Sequence, residues 1–155
     1  TVGSQEKIEV AKKFGCSEVI NYNKEDFHKE VMKITNDIGL PVVYDGVGKV
    51  TMEKSLLCLK MRGTFVSFGN ASGKLEPLDV GKLIAPTGLF LTRPIIAHYT
   101  ATREELDEAA SKLFEMIKSK KVIVKLFKKY TLNEVIQAHK DLEGRKIIGP
   151  AIITP

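Results

Sequence analysis

Pro41-Val42-Val43-Tyr44-Asp45-Gly46-Val47-Gly48 is the most informative stretch of the chain. Its apolar first part is typical of a strand that is buried on both faces of a parallel sheet. The two glycines that follow predict a tight turn, because glycine adopts backbone conformations closed to other residues. Open α/β sheets bind ligands at the carboxyl ends of their strands. Gly46 and Val47 are therefore candidates for lining a ligand, whereas Gly48 is better explained as a turn residue.

Helical and strand-like segments alternate on both sides of this stretch. The helices are predicted at residues 4–15, 26–34 and 51–59, and the strands at residues 18–21, 63–67 and 89–92. Residues 1–3 resemble the end of a further strand. Such alternation predicts right-handed βαβ crossovers and a parallel, doubly wound sheet.

The pattern changes after Pro94. Helices are predicted at residues 102–119 and 132–142, and strands at 125–130 and 149–153. The last strand has no crossover partner in sequence order, so we expect it to pair with a part of the protein outside this chain. A strand at each end of the sequence predicts that the chain is a fragment.

Composition excludes several classes of protein. The 155 residues, 43% hydrophobic and 28% charged, are ordinary for one compact domain or a domain and part of another. No apolar run approaches the roughly 20 residues that span a bilayer, and no secretory signal is visible. Cys16 and Cys58 have no disulfide or zinc-ligand spacing, so both are expected to be buried in a reducing, cytoplasmic environment.

Neither a metal site nor a catalytic side chain is predicted. His28, His98 and His139 are scattered, lack cysteine or carboxylate neighbours at ligand spacing, and are expected at the surface or an interface. No Ser-His-Asp or paired-carboxylate arrangement is visible. The net charge of +5 is explained by solvated lysines. RNA binding is the least favoured function, because no motif combines aromatic and basic residues.

Several stretches together resemble the quinone oxidoreductase family of medium-chain dehydrogenases/reductases, in the expected order over the whole chain. They are Asn21-Tyr22 with Glu25-Asp26, Val43-Tyr44-Asp45-Gly46-Val47-Gly48, Arg62-Gly63, Ser67-Phe68-Gly69-Asn70-Ala71-Ser72-Gly73, Leu91-Thr92-Arg93-Pro94 and Leu142-Glu143-Gly144-Arg145-Lys146. The resemblance implies zinc-independent hydride transfer from NADPH to a quinone. It implies an α/β fold with a partial Rossmann domain at residues 1–94, followed at residues 95–155 by the C-terminal return segment of a GroES-like catalytic domain.

The resemblance also implies a set of cofactor-binding residues. They are Gly3, Ser4, Lys7, Tyr22, Gly46, Val47, Phe68, Gly69, Asn70, Ala71, Leu91, Thr92, Arg93 and Arg145. An acidic residue at the end of the second Rossmann strand favours NAD, and the turn at Gly3-Ser4 has none. Lys7 and Tyr22 then resemble contacts of the 2′-phosphate, with Glu6 as a discordant neighbour.

The other members of the set have several roles. Gly46 and Val47 either line the adenine or ribose side or belong only to the turn. Residues 68–71 are expected on the nicotinamide side. Residues 91–93 either meet the nicotinamide amide through their backbone or belong to an edge strand that pairs with its copy in a homodimer, since exposed edges need a partner. Arg145 either reaches the cofactor or is a surface charge.

Two functions remain open at this point. The first is a cofactor-side fragment of an NADPH-dependent quinone oxidoreductase, which is expected to be inactive alone because the glycine-rich pyrophosphate loop of the fold lies outside the chain. The second is a non-catalytic module, dimerising or weakly nucleotide-binding, left by truncation or gene splitting. Zinc alcohol dehydrogenases and enoyl reductases share this half of the fold, and residues 67–73 and 91–94 favour the quinone reductases.

Overall fold

A computed structural model describes residues 1–144 and 146–155. The chain forms two compact units, Thr1–His98 and Tyr99–Pro155. Both contain parallel strands connected through helices, so the predicted α/β class is confirmed.

The first unit is built on a three-stranded parallel sheet of order β1-β2-β3. Its elements are α1 (Gln5–Lys13), α2 (Phe27–Ile34), β1 (Leu40–Asp45), α3 (Met52–Leu57), β2 (Leu59–Ser67), α4 (Val80–Leu83) and β3 (Phe90–Thr92), with α5 (Ile96–Tyr99) at the boundary between the units. The Asp26 carboxylate caps α2 by accepting from the backbone N–H of His28 at 3.1 Å. The helices at 4–15, 26–34 and 51–59 are thus confirmed with slightly shorter bounds.

The core of the first unit lies along β2, the central strand. Phe65 is completely buried there among four other buried side chains: Met52, Leu56, Leu59 and Leu89. A second cluster contains Ile20, Phe27 and Cys58. The glycine-flanked apolar strand at 63–67 therefore supplies the centre of this unit, as its composition predicts.

Two strand predictions are wrong in part. Residues 18–21 form no strand; only an isolated parallel bridge joins Asn21 to Val2. β1 is not buried on both faces, because Val42 and Tyr44 are 39% and 72% exposed. Val42 and Tyr44 are two residues apart and point to the same face of the sheet, and this face is open to solvent at both positions.

Burial also differs from expectation at two further side chains. Cys16 is exposed rather than buried, since it follows Gly15, whose φ of +93° ends α1 and turns the chain away from the core. The spacing of Ile34 from Phe27 and Val31 predicts that it faces the core, but Ile34 is 47% exposed in the last turn of α2. Cys58 is buried as predicted, and burial raises the pKa of its thiol to about 11.

The second unit contains a βαβ crossover. Its elements are α6 (Arg103–Lys118), β4 (Lys128–Thr131), a 3₁₀ turn (Leu132–Glu134), α7 (Val135–Glu143) and β5 (Ala151–Thr154). β5 pairs with β4 in parallel, with Lys128 opposite Ala151. The expectation that the last strand finds its partner outside the chain is therefore wrong. A helix of adequate length separates the two strands, and this makes the local crossover possible.

A buried carboxylate holds this crossover together. Asp141 on α7 is 7% exposed and accepts hydrogen bonds from the Tyr130 hydroxyl at 2.9 Å, Gln137 Nε2 at 2.8 Å and Lys128 Nζ at 3.1 Å. These three hydrogen bonds lower the pKa of Asp141 from 3.8 to about 2, and the one from Tyr130 has the largest effect. Burial raises the pKa of Tyr130, and the hydrogen bond to Asp141 raises it further.

The depressed pKa predicts acid sensitivity of the second unit. A carboxylate whose pKa is lowered by folding contributes stability above its ordinary pKa of 3.8, and this contribution disappears as the pH falls towards about 2. We expect Asp141→Asn to destabilise β4 and α7 at neutral pH and to flatten their stability over this acid range. Urea unfolding followed by circular dichroism across the range measures both effects.

Asp107 provides the control for this experiment, because its ion pair with Arg103 is on the surface of α6. Asp107→Asn should leave the acid profile unchanged. An Asp141→Asn protein with the same acid profile as the wild type would contradict the assigned role of the carboxylate.

Candidate cofactor-binding edge

The candidate site lies where the strands of the first unit end. β1, β2 and β3 are parallel, so their carboxyl ends share one edge of the sheet. The loop after β2 continues the pairing beyond β1: Phe68 N–H donates to Asp45 O at 3.0 Å and Ala71 N–H donates to Gly46 O at 3.2 Å. The structure thus brings the predicted residues after β1 and those after β2 into contact.

Asp45 organises the turn after β1. Its buried carboxylate accepts from the backbone N–H groups of Val47 at 2.8 Å and Gly48 at 2.9 Å. The hydroxyls of Thr51 and Ser55 donate to the same carboxylate, each at 2.8 Å. Hydrogen bonds to this many donors allow a charge to remain buried. The acidic strand end is thus a structural anchor for the turn.

Glycines make the two loops fit together. A Cβ on Gly69 would lie 2.6 Å from the carbonyl oxygen of Gly46, which is backbone and cannot swing aside. A Cβ on Gly46 would lie 2.9 Å from the ring of Phe68. Phe68 itself is 59% exposed, so the ring that contacts Gly46 also has surface open to solvent. This arrangement leaves backbone and one aromatic face accessible to a ligand.

A second group of predicted residues gathers around Gly3. The ring of Tyr22 lies directly over Gly3, since a Cβ there would be 2.6 Å from the phenolic oxygen. Asn23 Nδ2 donates to Gly3 O at 2.7 Å and holds the same turn. Ser4 precedes α1, but its side chain makes no capping hydrogen bond to the helix. Lys7 is half-buried in the first turn of α1, and Glu6 beside it is exposed.

The end of β3 contributes a cation. Arg93 Nη1 donates to the hydroxyl of Ser67 at 3.0 Å, and Ser67 lies opposite Asp45 in the sheet register. The Leu91 and Thr92 side chains are exposed, as expected at an edge strand. The backbone of residues 91–93 is therefore adjacent to the end of β2 and accessible from one side.

A cavity of about 350 Å³ lies beside the free edge of β1. It is lined by Thr1, by residues of α2 and α3, and by Gly46 and Val47 from the predicted site. Lys7, Tyr22 and Phe68 do not line it. The predicted residues thus form two groups, one around Gly3 and one around Gly46, and Thr1 shares the cavity with the second. Arg145 is outside the described residues.

Sequence reasoning missed the hydroxyls that support the site. Thr51 and Ser55 are four residues apart, the spacing of one helix face, and this signal after an aspartate was available from the sequence. Ser67 and Ser72 carried no such signal, because their partners lie 22 to 26 residues away.

Metal-ligating side chains are dispersed over residues 1–144 and 146–155. No three His, Cys, Asp or Glu side chains converge there in a way that would hold a metal ion. Within the same ranges, no helix combines the length and the apolar composition needed to cross a membrane.

A family profile described as "Zinc-binding dehydrogenase" matches residues 1–116. The chain belongs to this family. It is 43% identical over 157 residues to quinone oxidoreductase 1 of Escherichia coli strain K12, covering all of this chain and 48% of that protein. It is 41% identical over 156 residues to 2-haloacrylate reductase of Burkholderia sp, of which it covers 47%.

The fold agrees with solved structures. The crystal structure of the Escherichia coli quinone oxidoreductase complexed with NADPH matches 99% of this chain and 48% of its own, with a TM-score of 0.94 at 41% identity. The resemblance to quinone oxidoreductases is thus confirmed, as is the Rossmann-like fold. The chain spans about half the length of the relatives that it matches.

Proposed function

We propose that this chain is the cofactor-side part of an NADPH-dependent, zinc-independent quinone reductase. The observation that carries the proposal is the contact between the loops after β1 and β2. Gly46 and Gly69 meet there without side chains, and the exposed ring of Phe68 borders them. A planar ligand ring needs such a surface of accessible backbone and aromatic face at the carboxyl edge of a parallel sheet.

The turn at Gly3 suits the adenosine end of NADPH. Lys7 brings a positive charge, Tyr22 a phenol, and the Ser4 hydroxyl is not used to cap α1. No carboxylate ends the preceding strand segment, where one would repel a 2′-phosphate. We assign residues 1–94 to the NADP-binding domain and residues 95–155 to the return segment of the catalytic domain, with Arg145 as a cofactor contact.

The chemistry belongs to the cofactor, whose reduced nicotinamide supplies a hydride when bound. The residues of this chain bind the cofactor and orient it. Asn70 offers a carboxamide, and the backbone of residues 91–93 offers hydrogen-bonding groups next to the end of β2. The Arg93 guanidinium is held by Ser67 and keeps the end of β3 against β2. No proton transfer by a side chain of this chain is required.

The free edge of β1 supports a role within a larger fold. Thr1 also lines the cavity beside β1, and among the described strands β1 pairs only with β2, so its other edge is unpaired. One further parallel strand fits such a position. We propose that this strand and its glycine-rich loop grip the pyrophosphate, so that the chain alone binds NADPH weakly and does not turn over.

The proposal is tested in two steps. Isothermal titration calorimetry of the chain should give weak binding of NADPH and weaker binding of NADH. A chimera joins this chain to the amino-terminal half of Escherichia coli quinone oxidoreductase 1, and stopped-flow absorbance should then show oxidation of NADPH by 1,4-benzoquinone. A chain that binds neither dinucleotide, together with a folded chimera that leaves NADPH unchanged, would contradict the function.

A second substrate class is favoured by one finding. The crystal structure of a 2-haloacrylate reductase matches 99% of this chain with a TM-score of 0.89 at 41% identity. A conjugated carbon–carbon double bond accepts hydride as a quinone does. The chimera should therefore be assayed with 2-chloroacrylate as well, and faster turnover of the acrylate would replace the quinone in the proposal.

The proposal also includes a homodimer and a location in the cytoplasm. β3 is an edge strand with Phe90 and Leu91 exposed, and pairing with its copy in a homodimer would protect this edge. Both cysteines are free thiols, which suits the reducing cytoplasm. Size-exclusion chromatography with light scattering tests the dimer, and a monomer at micromolar concentration would contradict it.

A further inference from the structure

Ser72 connects the two loops of the candidate site. Its hydroxyl donates to the carbonyl oxygen of Val47 at 2.7 Å and accepts from the backbone N–H of Val50 at 3.1 Å. Its own backbone N–H donates to the same Val47 oxygen at 2.8 Å. One residue of the loop after β2 therefore holds two positions of the turn after β1.

Val47 is fixed from both sides as a result. The Asp45 carboxylate accepts from its N–H, and Ser72 donates twice to its C=O. Val47 also lines the cavity beside β1. Its backbone thus has a defined position only while the loop that begins at Phe68 is in place. The loops after β1 and β2 therefore hold each other in a fixed relative position.

Two backbone hydrogen bonds also join the loops, from Phe68 N–H to Asp45 O at 3.0 Å and from Ala71 N–H to Gly46 O at 3.2 Å, but neither fixes Val47 or Val50. The remaining contacts between the loops are weaker. The Lys49–Glu76 ion pair, at 2.7 Å, is solvent-exposed, and exposed ion pairs contribute little and are screened by salt. Gly48 packs against Asn70 through van der Waals contact alone, with a Cβ position 3.0 Å from Asn70 Cα. The half-buried hydroxyl of Ser72 is better protected from water than the ion pair.

We propose that Ser72 is a positioning residue for the cofactor: it sets the spacing between the turn at Gly46 and the loop at Phe68, and so pre-organises both for one ligand. The inference rests on the proposed function. Ser72 acts through the backbone of Val47 and Val50 and not on the 2′-phosphate. Its removal should therefore weaken NADPH and NADH equally, in contrast to the loss of a phosphate contact.

Ser72→Ala tests the connection directly. The Val50 amide loses its acceptor, so its hydrogen exchange, measured by NMR, should become on the order of tenfold faster. Calorimetry should show about 5- to 10-fold weaker binding of both NADPH and NADH, with the ratio of the two affinities unchanged. Ser72→Thr retains a hydroxyl and should restore both readouts.

Thr35 provides a matched control at the opposite end of β1. Its hydroxyl also donates to a backbone carbonyl, Val31 O at 2.8 Å, and accepts from a backbone amide, Gly39 N–H at 3.1 Å. Thr35→Val removes these bonds at nearly constant volume. It should lower stability as much as Ser72→Ala does and leave dinucleotide affinity unchanged.

The results test the positioning role of Ser72 separately from the proposed function. If the wild-type chain binds NADPH and Ser72→Ala binds it equally well, the positioning role is wrong while the proposed function stands. An equal loss of affinity in Thr35→Val would reduce Ser72 to a general stabilising residue and overturn the inference. If the wild-type chain binds neither dinucleotide and the folded chimera leaves NADPH unchanged, the proposed function fails and the role of Ser72 fails with it. If only the chimera binds, Ser72→Ala and Thr35→Val are compared in the chimera, where the same outcomes decide.

Discussion

Replacing Phe65 by alanine should lower the free energy of unfolding of the first unit by about 3–5 kcal/mol, the usual cost of emptying a buried aromatic site. Phe65 has no exposed surface and lies in the central strand, where the surrounding side chains cannot collapse into the space without moving β1 or β3. The measurement is the shift of the urea midpoint, with circular dichroism and tyrosine fluorescence as probes.

Phe14 at the end of α1 in the same unit is the matched control. It has the same side chain and is 54% exposed, so Phe14→Ala should change the stability by less than about 1 kcal/mol. Equal shifts for the two variants would show that β2 is not the centre of the core. If Phe65→Ala does not fold, Phe65→Leu gives a smaller shift of the same sign, because it loses volume without losing all packing.

Replacing Lys7 by alanine should weaken NADPH binding by about 10- to 100-fold, because a hydrogen bond to a charged group is worth about 1.5–3 kcal/mol. NADH lacks the 2′-phosphate, so its affinity should not change and the preference between the two cofactors should disappear. Titration calorimetry with both dinucleotides measures the ratio. The expectation follows from the proposed function and from the position of Lys7 in the first turn of α1.

Two variants sharpen this test. Lys12→Ala removes a charge from the last turn of the same helix and should leave the ratio as in the wild type. Lys7→Arg keeps the charge and should retain most of the preference. A ratio that stays constant in Lys7→Ala would remove Lys7 from the site. That result would not affect the role proposed for the loops after β1 and β2, because that role rests on contacts that do not involve Lys7.

Ser72 and Lys7 are expected to affect the same ligand in different ways. Lys7 should change selectivity, and Ser72 should change affinity without selectivity. A double variant, Lys7→Ala with Ser72→Ala, should therefore combine the two losses additively, since Val47 and Val50, the partners of Ser72, are not contacts of Lys7.

Local patterns were sufficient for much of the fold and part of the site. The apolar run before Asp45 and the glycine-flanked run at Thr64 and Phe65 predicted β1 and β2, because strand propensity and turn chemistry are properties of a few adjacent residues. Since parallel strands end at one edge, the same patterns placed Gly46 and Phe68 at a shared surface.

The three-dimensional structure alone decided which of these segments meet. Exposure of Val42 depends on whether another element covers its face of the sheet, and the partner of β5 depends on the crossover through α7; neither is encoded within the strand itself. The bond from Ser72 to Val47 joins residues 25 apart, and that from Tyr130 to Asp141 joins residues 11 apart. Periodicity carries no information at such separations, because it reports which way a side chain points and not which element lies opposite.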